Sequence, residues 1–153
     1  MRKRPFALAV TGLVAASFVA FAHGGNQMPP PMMQRHAVMG SLAAHMKAAK
    51  SALSSKEFDA VAGQAEAIYW LARILPTAFP EGSGPEMGKT RASPKIWQDW
   101  KGFEAASAQL ADAAAELKTA AKSDNAAHTE TAFRKLGREG CGGCHKVYRT
   151  PKQ

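Results

Sequence analysis

Cysteine is scarce in this sequence: the chain has two in 153 residues, Cys141 and Cys144, both near its C-terminal end. A small exported domain held together by several disulfides needs more cysteines, so that class is excluded. Long apolar runs are also scarce. Only the run from Phe6 to Phe21 is long and uncharged, which excludes a protein with several membrane-spanning helices.

The single apolar run has the layout of an export signal. It follows Arg2, Lys3 and Arg4 and ends at Ala20-Phe21-Ala22, the small-x-small pattern of a signal peptidase site. We therefore predict that residues 1–22 are a cleaved signal peptide and that the exported protein has no stable membrane insertion. An uncleaved N-terminal anchor is the alternative interpretation.

A concentrated positive charge is missing from the 131 residues that follow. Without the basic residues of the signal, 17 basic side chains remain against 12 acidic ones, and the basic ones are scattered singly. Nucleic-acid binding favours clustered basic residues interleaved with aromatic ones, so we expect no nucleic-acid partner. A mildly basic surface would still favour an acidic partner protein.

The alternation of apolar and polar residues that is typical of β-strands is missing too. Four segments instead repeat apolar residues at steps of three and four, as amphipathic helices do. Residues 23–31, with three consecutive prolines, are predicted to be a flexible leader, and residues 32–153 to form one domain. Ser54 and Glu57 form a capping-box pattern, Ser93-Pro94 is typical of a helix start, and a turn is expected at residues 123–125. The expected helices span about 32–53, 54–75, 94–121 and 126–149, with a crossover loop over 79–93. The predicted fold is all-α, a four-helix bundle.

Large side chains are few on these helical stripes, which are rich in alanine. A bundle lined in this way would be poorly filled unless something large and apolar occupied its interior.

The segment Cys141-Gly142-Gly143-Cys144-His145 is the attachment pattern of a c-type haem. On a helix, positions i, i+3 and i+4 lie on one face, so both thiols and the imidazole point the same way. The thiols would bond the two vinyl groups of the porphyrin, and His145 would bind the iron. We therefore predict one covalently attached haem c.

Three other chemistries use the same spacing. A thioredoxin-like dithiol belongs at the start of a helix after a strand, whereas this motif lies near a helix C-terminus. Structural zinc needs a fourth ligand, for which His128 is the only nearby candidate. A disulfide between residues three apart closes a very short loop and would stabilise little.

Three groups of residues together resemble a known family. They are Arg35 followed by Met39, the segment Pro94-Lys95-Ile96-Trp97, and Cys-x-x-Cys-His-x-x-Tyr-Arg ending at Arg149. With them the chain resembles the cytochrome c′ and cytochrome c556 family over essentially its whole mature length. The resemblance implies an antiparallel up-down-up-down bundle, a bacterial periplasmic location and, in many members, a homodimer formed through the first two helices.

The resemblance also implies roles for individual residues. Arg35 would meet a haem propionate, and Arg149 would lie near the proximal imidazole. Met39 matches the distal position, where c556-like members bind iron through methionine and c′-like members leave the iron five-coordinate and open to nitric oxide or carbon monoxide. Core filling is the alternative for Met39, because methionine fits irregular gaps. Of the aromatic residues at helical spacing, Phe103 is the candidate contact of the macrocycle.

Other possible ligands have less support. His45 lies six residues beyond Met39 and should face the surface. His36 is expected to point away from the apolar stripe. The N-terminal His23, Met28, Met32, Met33 and His36 together resemble a soft-metal-binding leader for copper, although such a segment is more often flexible or packed.

Nothing in the sequence resembles a nucleophile paired with a base, so we expect no enzymatic turnover by side chains. The leading hypothesis is a periplasmic protein that transfers single electrons through its haem iron and meets redox partner proteins there. The alternative is a five-coordinate haem protein that binds nitric oxide or carbon monoxide. A methionine- and histidine-based metal carrier is the third hypothesis.

Overall fold

Helices make up most of the computed structural model, which describes residues 28–151. The predicted signal peptide and residues 23–27 of the predicted leader lie outside the described residues. Within them the α-helices are α1 (Pro30–Ser54), α2 (Phe58–Ile74), α3 (Lys95–Gln98), α4 (Trp100–Ala121), α5 (Ala126–Lys135) and α6 (Gly142–Tyr148). Short 3₁₀ turns cover Leu75–Ala78 and Pro85–Met87, and a π-helical segment at Leu136–Cys141 joins α5 to α6.

The four long rods of the bundle are α1, α2, α4 and the continuous run from α5 to α6. They form an antiparallel up-down-up-down bundle, in which α2 packs against both α1 and α4, and α4 packs against the last rod. The predicted all-α four-helix bundle is confirmed. Over residues 28–151 the only strand-like pairing is one isolated antiparallel bridge between Ala92 and Arg149. No helix in this range is long and apolar enough to cross a membrane.

The start of α1 and its junction with α2 differ from the prediction. The helix begins at Pro30, two residues early, because proline is tolerated in a first turn, where its missing N–H has no intrahelical partner anyway. The predicted capping box is wrong. Ser54 still belongs to α1 and its hydroxyl donates to the Lys50 carbonyl at 3.0 Å, while Glu57 precedes α2 without a capping bond from its side chain. Lys56, at a φ of 59°, makes the turn between the helices.

The predicted third helix is interrupted after one turn. The Ser93 hydroxyl accepts from the Lys95 N–H at 3.3 Å, as an N-cap does, and α3 then ends at Asp99, whose φ of −133° and ψ of 55° are not helical. The Asp99 carboxylate accepts from the Gly102 N–H at 3.3 Å and so caps α4. This break turns the start of α4 toward the end of α6.

The last rod starts as predicted but changes helix type. Asn125 caps α5 by accepting from the His128 N–H at 3.0 Å, and Asp124 before it has a φ of 52°. At Leu136 the α-helix widens into the π-helical segment, which ends at the first cysteine of the haem motif. In that segment Gly140 is buried close against α4: a Cβ there would lie 2.9 Å from Leu110 Cδ1.

Small side chains close one half of the core. Ala65 and Ala72 of α2 and Ala114 of α4 are fully buried where these helices meet. Because alanine lets two helices approach closely, it leaves little open space around the larger residues buried on the same helices, such as Ile68 and Leu117. Open space is concentrated in the other half, beside the first half of α1.

Candidate functional site

A cavity of about 600 Å³ lies between the first half of α1, the crossover loop, the start of α4 and the last rod. Its lining is mostly apolar. The seven site residues predicted from the sequence all border it: Arg35, Met39, Phe103, Cys141, Cys144, His145 and Arg149. The remaining lining residues are His36, Gly40, Leu42, Ala43, Met46, Leu75, Phe79, Thr90, Arg91, Ala92, Ile96, Leu110, Gly140 and Tyr148.

The two cysteines and the histidine of the motif open into this cavity from the last rod. Cys141 and Cys144 are free thiols, so the short disulfide is not formed. Burial raises the pKa of Cys141, and burial together with the neighbouring Cys141 raises the pKa of Cys144 to about 11. Burial, and then the charges of Arg149 and Arg91, lower the pKa of His145. The neutral imidazole, the form that binds metals, is therefore favoured.

The alternatives to haem find little support in the described residues. No group of three or more His, Cys, Asp or Glu side chains suitable for a metal ion occurs among residues 28–151. His128 is exposed at the start of α5 and does not line the cavity. The motif follows a helical segment, which is not the strand-to-helix setting of a thioredoxin-like dithiol.

Arg35 lies at one wall of the cavity and is only 6% exposed. Its guanidinium donates to the Ser83 carbonyl and the Ser83 hydroxyl, both at 3.0 Å, and to the Thr90 hydroxyl at 3.3 Å. It also stacks on Phe79, with the guanidinium carbon 4.2 Å from the ring centre. Burial lowers the pKa of Arg35, an effect opposed by Glu86. Its buried Nε–H has no hydrogen-bond partner among residues 28–151, so one donor of this cation is left unpaired.

Arg149 and Arg91 line the cavity where the crossover loop reaches the end of the chain. The crossover loop and the end of the chain pair here, with the Thr150 N–H donating to the Arg91 carbonyl at 2.9 Å. The Arg91 side chain donates from Nε and an Nη to the Thr150 carbonyl, at 3.0 and 2.8 Å. Arg91 was not predicted as a site residue, because it lies in a loop and only the folded chain brings it to His145.

Tyr148 was also missed, although a sequence signal existed. It follows His145 by three residues, so the two share a face of α6. Its hydroxyl donates to the Asp99 carboxylate at 2.9 Å, and burial with this bond raises the pKa of Tyr148 to about 12. Its ring meets Phe103 edge to face at 5.4 Å between ring centres. Tyr148 thus joins the haem motif to the break between α3 and α4.

Met39 and Met46 line the cavity from α1, and both are half-buried. His36 borders the same cavity, contrary to the prediction, because it lies three residues before Met39 and so shares its face. His45 is half-buried rather than on the surface, with its Nδ1 2.7 Å from the Gln64 amide oxygen.

The described methionines of the alternative soft-metal leader do not converge. Met28 and Met33 are exposed, whereas Met32 is buried near Gly88. His23 lies outside the described residues.

Comparison with known proteins identifies the family. The family model described as cytochrome C′ matches residues 31–149. The chain belongs to the cytochrome c′ family. The cytochrome c′ of Rhodospirillum rubrum is 36% identical over 119 residues, covering 75% of this chain and 78% of that protein. Cytochrome c-556 of Agrobacterium fabrum is 34% identical over 143 residues, covering 92% and 90%. The structure of cytochrome c prime from Shewanella frigidimarina matches with a TM-score of 0.68 and 30% identity, covering 82% of this chain and all of that one.

Members of the cytochrome c′ family carry a covalently bound haem c, and the cavity fits this group. Its volume lies within the range of about 300–1,000 Å³ found for ligand pockets. Two thiols and an imidazole open into it from one helix, and the free Nε–H of Arg35 supplies a buried donor. Cys141 and Cys144 would hold the porphyrin, and His145 its iron. When bound, the haem supplies one-electron chemistry at its iron.

Proposed function

We propose that this cytochrome c′ family protein transfers single electrons in the periplasm, with His145 and Met39 as the two axial ligands and without substrate turnover by its own side chains. The observation that carries the proposal is the position of the Met39 thioether, which lines the cavity from α1 while His145 lines it from α6. A histidine and a methionine give a six-coordinate iron and raise its reduction potential.

The surrounding residues support this assignment. Leu42 and Phe103 are buried beside the cavity and hold no ligand atom; Met46 and His36 also border it, and the variants below separate Met39 from the other methionine of α1 that lines the cavity. Arg35 would neutralise a propionate through its free donor, and Arg149 would lie beside the proximal imidazole. A fixed, mostly apolar environment of this kind limits solvent rearrangement when the charge of the iron changes, which suits rapid electron exchange.

The test compares optical spectra of the oxidised protein and of two variants. Met39→Ala should change a low-spin spectrum to a high-spin one and lower the reduction potential. Met46→Ala is the matched control, because Met46 is also half-buried on α1 and lines the cavity. A wild-type protein that is already high-spin, with no spectral change in Met39→Ala, shows that Met39 is not a ligand.

Such a result would favour the second candidate function, the binding of nitric oxide or carbon monoxide at an open iron. The specific observation behind it is the apolar lining around Met39, which accepts a small uncharged gas without desolvating polar groups. Carbon monoxide should then bind the reduced wild-type protein readily, because no side chain has to leave the iron. Under the leading proposal, carbon monoxide should bind Met39→Ala far better than the wild type.

Export and assembly belong to the same proposal. Residues 1–22 would be removed on export, so intact mass should correspond to a chain starting at His23 and carrying one haem.

A homodimer through α1 and α2 is supported by Trp70 and Ile74, which are 60% and 51% exposed one turn apart on α2. Large exposed apolar residues in neighbouring positions are typical of an interface.

A further inference from the structure

The crossover loop and the C-terminal segment form a short antiparallel pair at the edge of the cavity. The Ser93 N–H donates to the Tyr148 carbonyl at 3.0 Å, and Ala92 bridges Arg149. The Arg91 side chain reinforces the pair through its two bonds to Thr150. Two segments more than 50 residues apart in the sequence therefore present one continuous surface.

This surface is basic, and its acidic neighbours in the sequence, Glu86, Asp99 and Glu139, lie just outside the two paired segments. Lys89 and Arg91 lie in the loop, and Lys146 and Arg149 in the last helix and just beyond it; we call these four residues the basic rim. Residues 87–98 and 140–153 contain no Asp or Glu. Among the described residues, none of the four forms a salt bridge.

Several cations elsewhere in the bundle are paired with carboxylates. Lys118 pairs with Glu66 at 2.9 Å, and Lys135 with Glu116 at 2.6 Å. The other surface cations that form no salt bridge within residues 28–151 are spread along α1, α2 and α4 or lie at their ends, whereas the basic rim brings four such cations together beside the cavity.

The basic rim also borders the haem site. Arg91 and Arg149 line the same cavity as His145 and both cysteines, and Lys146 follows His145 directly. Lys89, Lys146 and Arg149 are exposed, as is Val147 between the last two, at 43%. A protein docked on this surface would therefore lie next to the cavity edge, the shortest route for an electron.

We propose that the basic rim is the docking surface for an acidic redox protein and that electrons leave or enter the haem there. This inference rests on the proposed electron-transfer function and adds to it the location and charge of the partner surface. Unpaired charges around one opening steer an oppositely charged partner and raise its association rate by about 10 to 1,000-fold at low salt. The effect fades once the Debye length falls to about 8 Å, at physiological ionic strength.

The test measures electron exchange with small reagents of opposite charge. Haem-loaded, reduced protein is mixed in a stopped-flow instrument with hexacyanoferrate(III), an anion, or with tris(phenanthroline)cobalt(III), a cation. One electron passes from the protein's iron to the reagent, which becomes hexacyanoferrate(II) or cobalt(II), with no atom transferred. With the wild type, added salt should slow the reaction of the anion and speed that of the cation.

The test variant is Lys89→Glu/Lys146→Glu, which avoids every proposed haem contact. The control is Lys50→Glu/Lys122→Glu, which changes the net charge equally at exposed sites that form no salt bridge within the described part of the chain. Lys122 lies 12 residues beyond Leu110, the last residue of α4 at the cavity, or about 18 Å along a helix. At low salt the test variant should react about tenfold more slowly with the anion, and the control within about twofold of the wild type.

Competitors identify the class of partner. Polyglutamate, a stand-in for an acidic protein surface, should inhibit the reaction of the wild type with hexacyanoferrate(III) but not that of the test variant. Equal rates for test and control variants would overturn the inference, as would inhibition by vesicles containing phosphatidylglycerol but not by polyglutamate. If dithionite and ferricyanide cannot reduce and reoxidise the haem iron, the proposed electron-transfer function itself has failed. If the iron is reduced and reoxidised normally but the test variant reacts at the wild-type rate, only the docking surface at the basic rim is refuted.

Discussion

A single methyl group added at Gly140 should disturb the packing beside the haem site. In Gly140→Ala the new Cβ would lie 2.9 Å from Leu110 Cδ1, 3.4 Å from Leu110 Cα and 3.4 Å from Leu136 Cδ1. Leu110 and Leu136 are 4% and 0% exposed, so neither can move outward. Leu110 also lines the cavity, and the space into which it could withdraw is the space of the haem.

The expected magnitude follows from two opposing effects. Overpacking of a filled core costs about 1–3 kcal/mol. Alanine gains up to about 1 kcal/mol over glycine in a regular helix, but Gly140 lies in the π-helical segment, where that gain is reduced. Gly140→Ala should therefore lower the free energy of unfolding by about 1–2 kcal/mol.

Gly63→Ala is the matched control, because Gly63 lies in α2 with no atom within 4 Å of an added Cβ. It should raise the free energy of unfolding by about 0.5–1 kcal/mol. The measurement is denaturant unfolding of the haem-loaded proteins, followed by circular dichroism and by the haem absorption band. If both variants are equally stable and have the same haem spectrum, the close contact of Gly140 with Leu110 is not a constraint.

Two further predictions concern Tyr148 and Trp70. Tyr148→Phe should lower the free energy of unfolding by about 1.5–3 kcal/mol, because the bond to the Asp99 carboxylate is charge-assisted. Folding raises the pKa of Tyr148 from 10.0 to about 12, so the stability that its protonated hydroxyl contributes is complete below pH 10 and is lost as the pH rises toward 12. Between pH 10 and 12 the free energy of unfolding should therefore fall less steeply in Tyr148→Phe than in the wild type. In analytical ultracentrifugation, Trp70→Glu should shift the protein from dimer to monomer. The control Met87→Glu, at a site that is 38% exposed and lies outside α1 and α2, should not. A dimer that persists in Trp70→Glu would place the interface elsewhere.

The sequence was sufficient to predict most of the helices and the haem motif, because both depend on local residue patterns. Ile96, Phe103, Leu110 and Leu117 are all buried, as their spacing predicts. The break at Asp99 was not predicted, since the apolar stripe continues across it. Only the folded chain shows that Asp99 faces both the Gly102 amide and the Tyr148 hydroxyl, two groups that compete with a helical conformation at that residue.

The alanine-rich stripes led to a correct expectation for an incomplete reason. They suggested an underfilled bundle, and a large cavity is present. Ala65, Ala72 and Ala114, however, lie in close helix contacts rather than around empty space. The cavity is instead lined by larger residues such as Met39, Met46 and Phe103, and residues of the crossover loop form part of its wall. The composition therefore indicated that the bundle contains a large cavity but not where the cavity lies.

The π-helical segment leaves a trace in the sequence that an α-helical interpretation overlooks. Ala132, Leu136, Gly140, Cys144 and Tyr148 recur at steps of four and are all buried. In a regular α-helix each such step exceeds one turn by about 40°, so the four steps would carry Tyr148 about 160° away from Ala132. The wider turns of the π-helical segment absorb the excess and keep all five residues on one side.

Removing one residue from that segment should therefore be tolerated. Deletion of the exposed Arg138 leaves steps of four, three, four and four, which an ordinary α-helix accommodates, so the haem spectrum should persist with a modest loss of stability. Deletion of Asp112, exposed in the uninterrupted α4, rotates the two halves of that helix by about 100° and should prevent folding. The readouts are the haem spectrum and denaturant unfolding. Equal damage from both deletions would show that the π-helical segment does not set the orientation of Cys144 and His145.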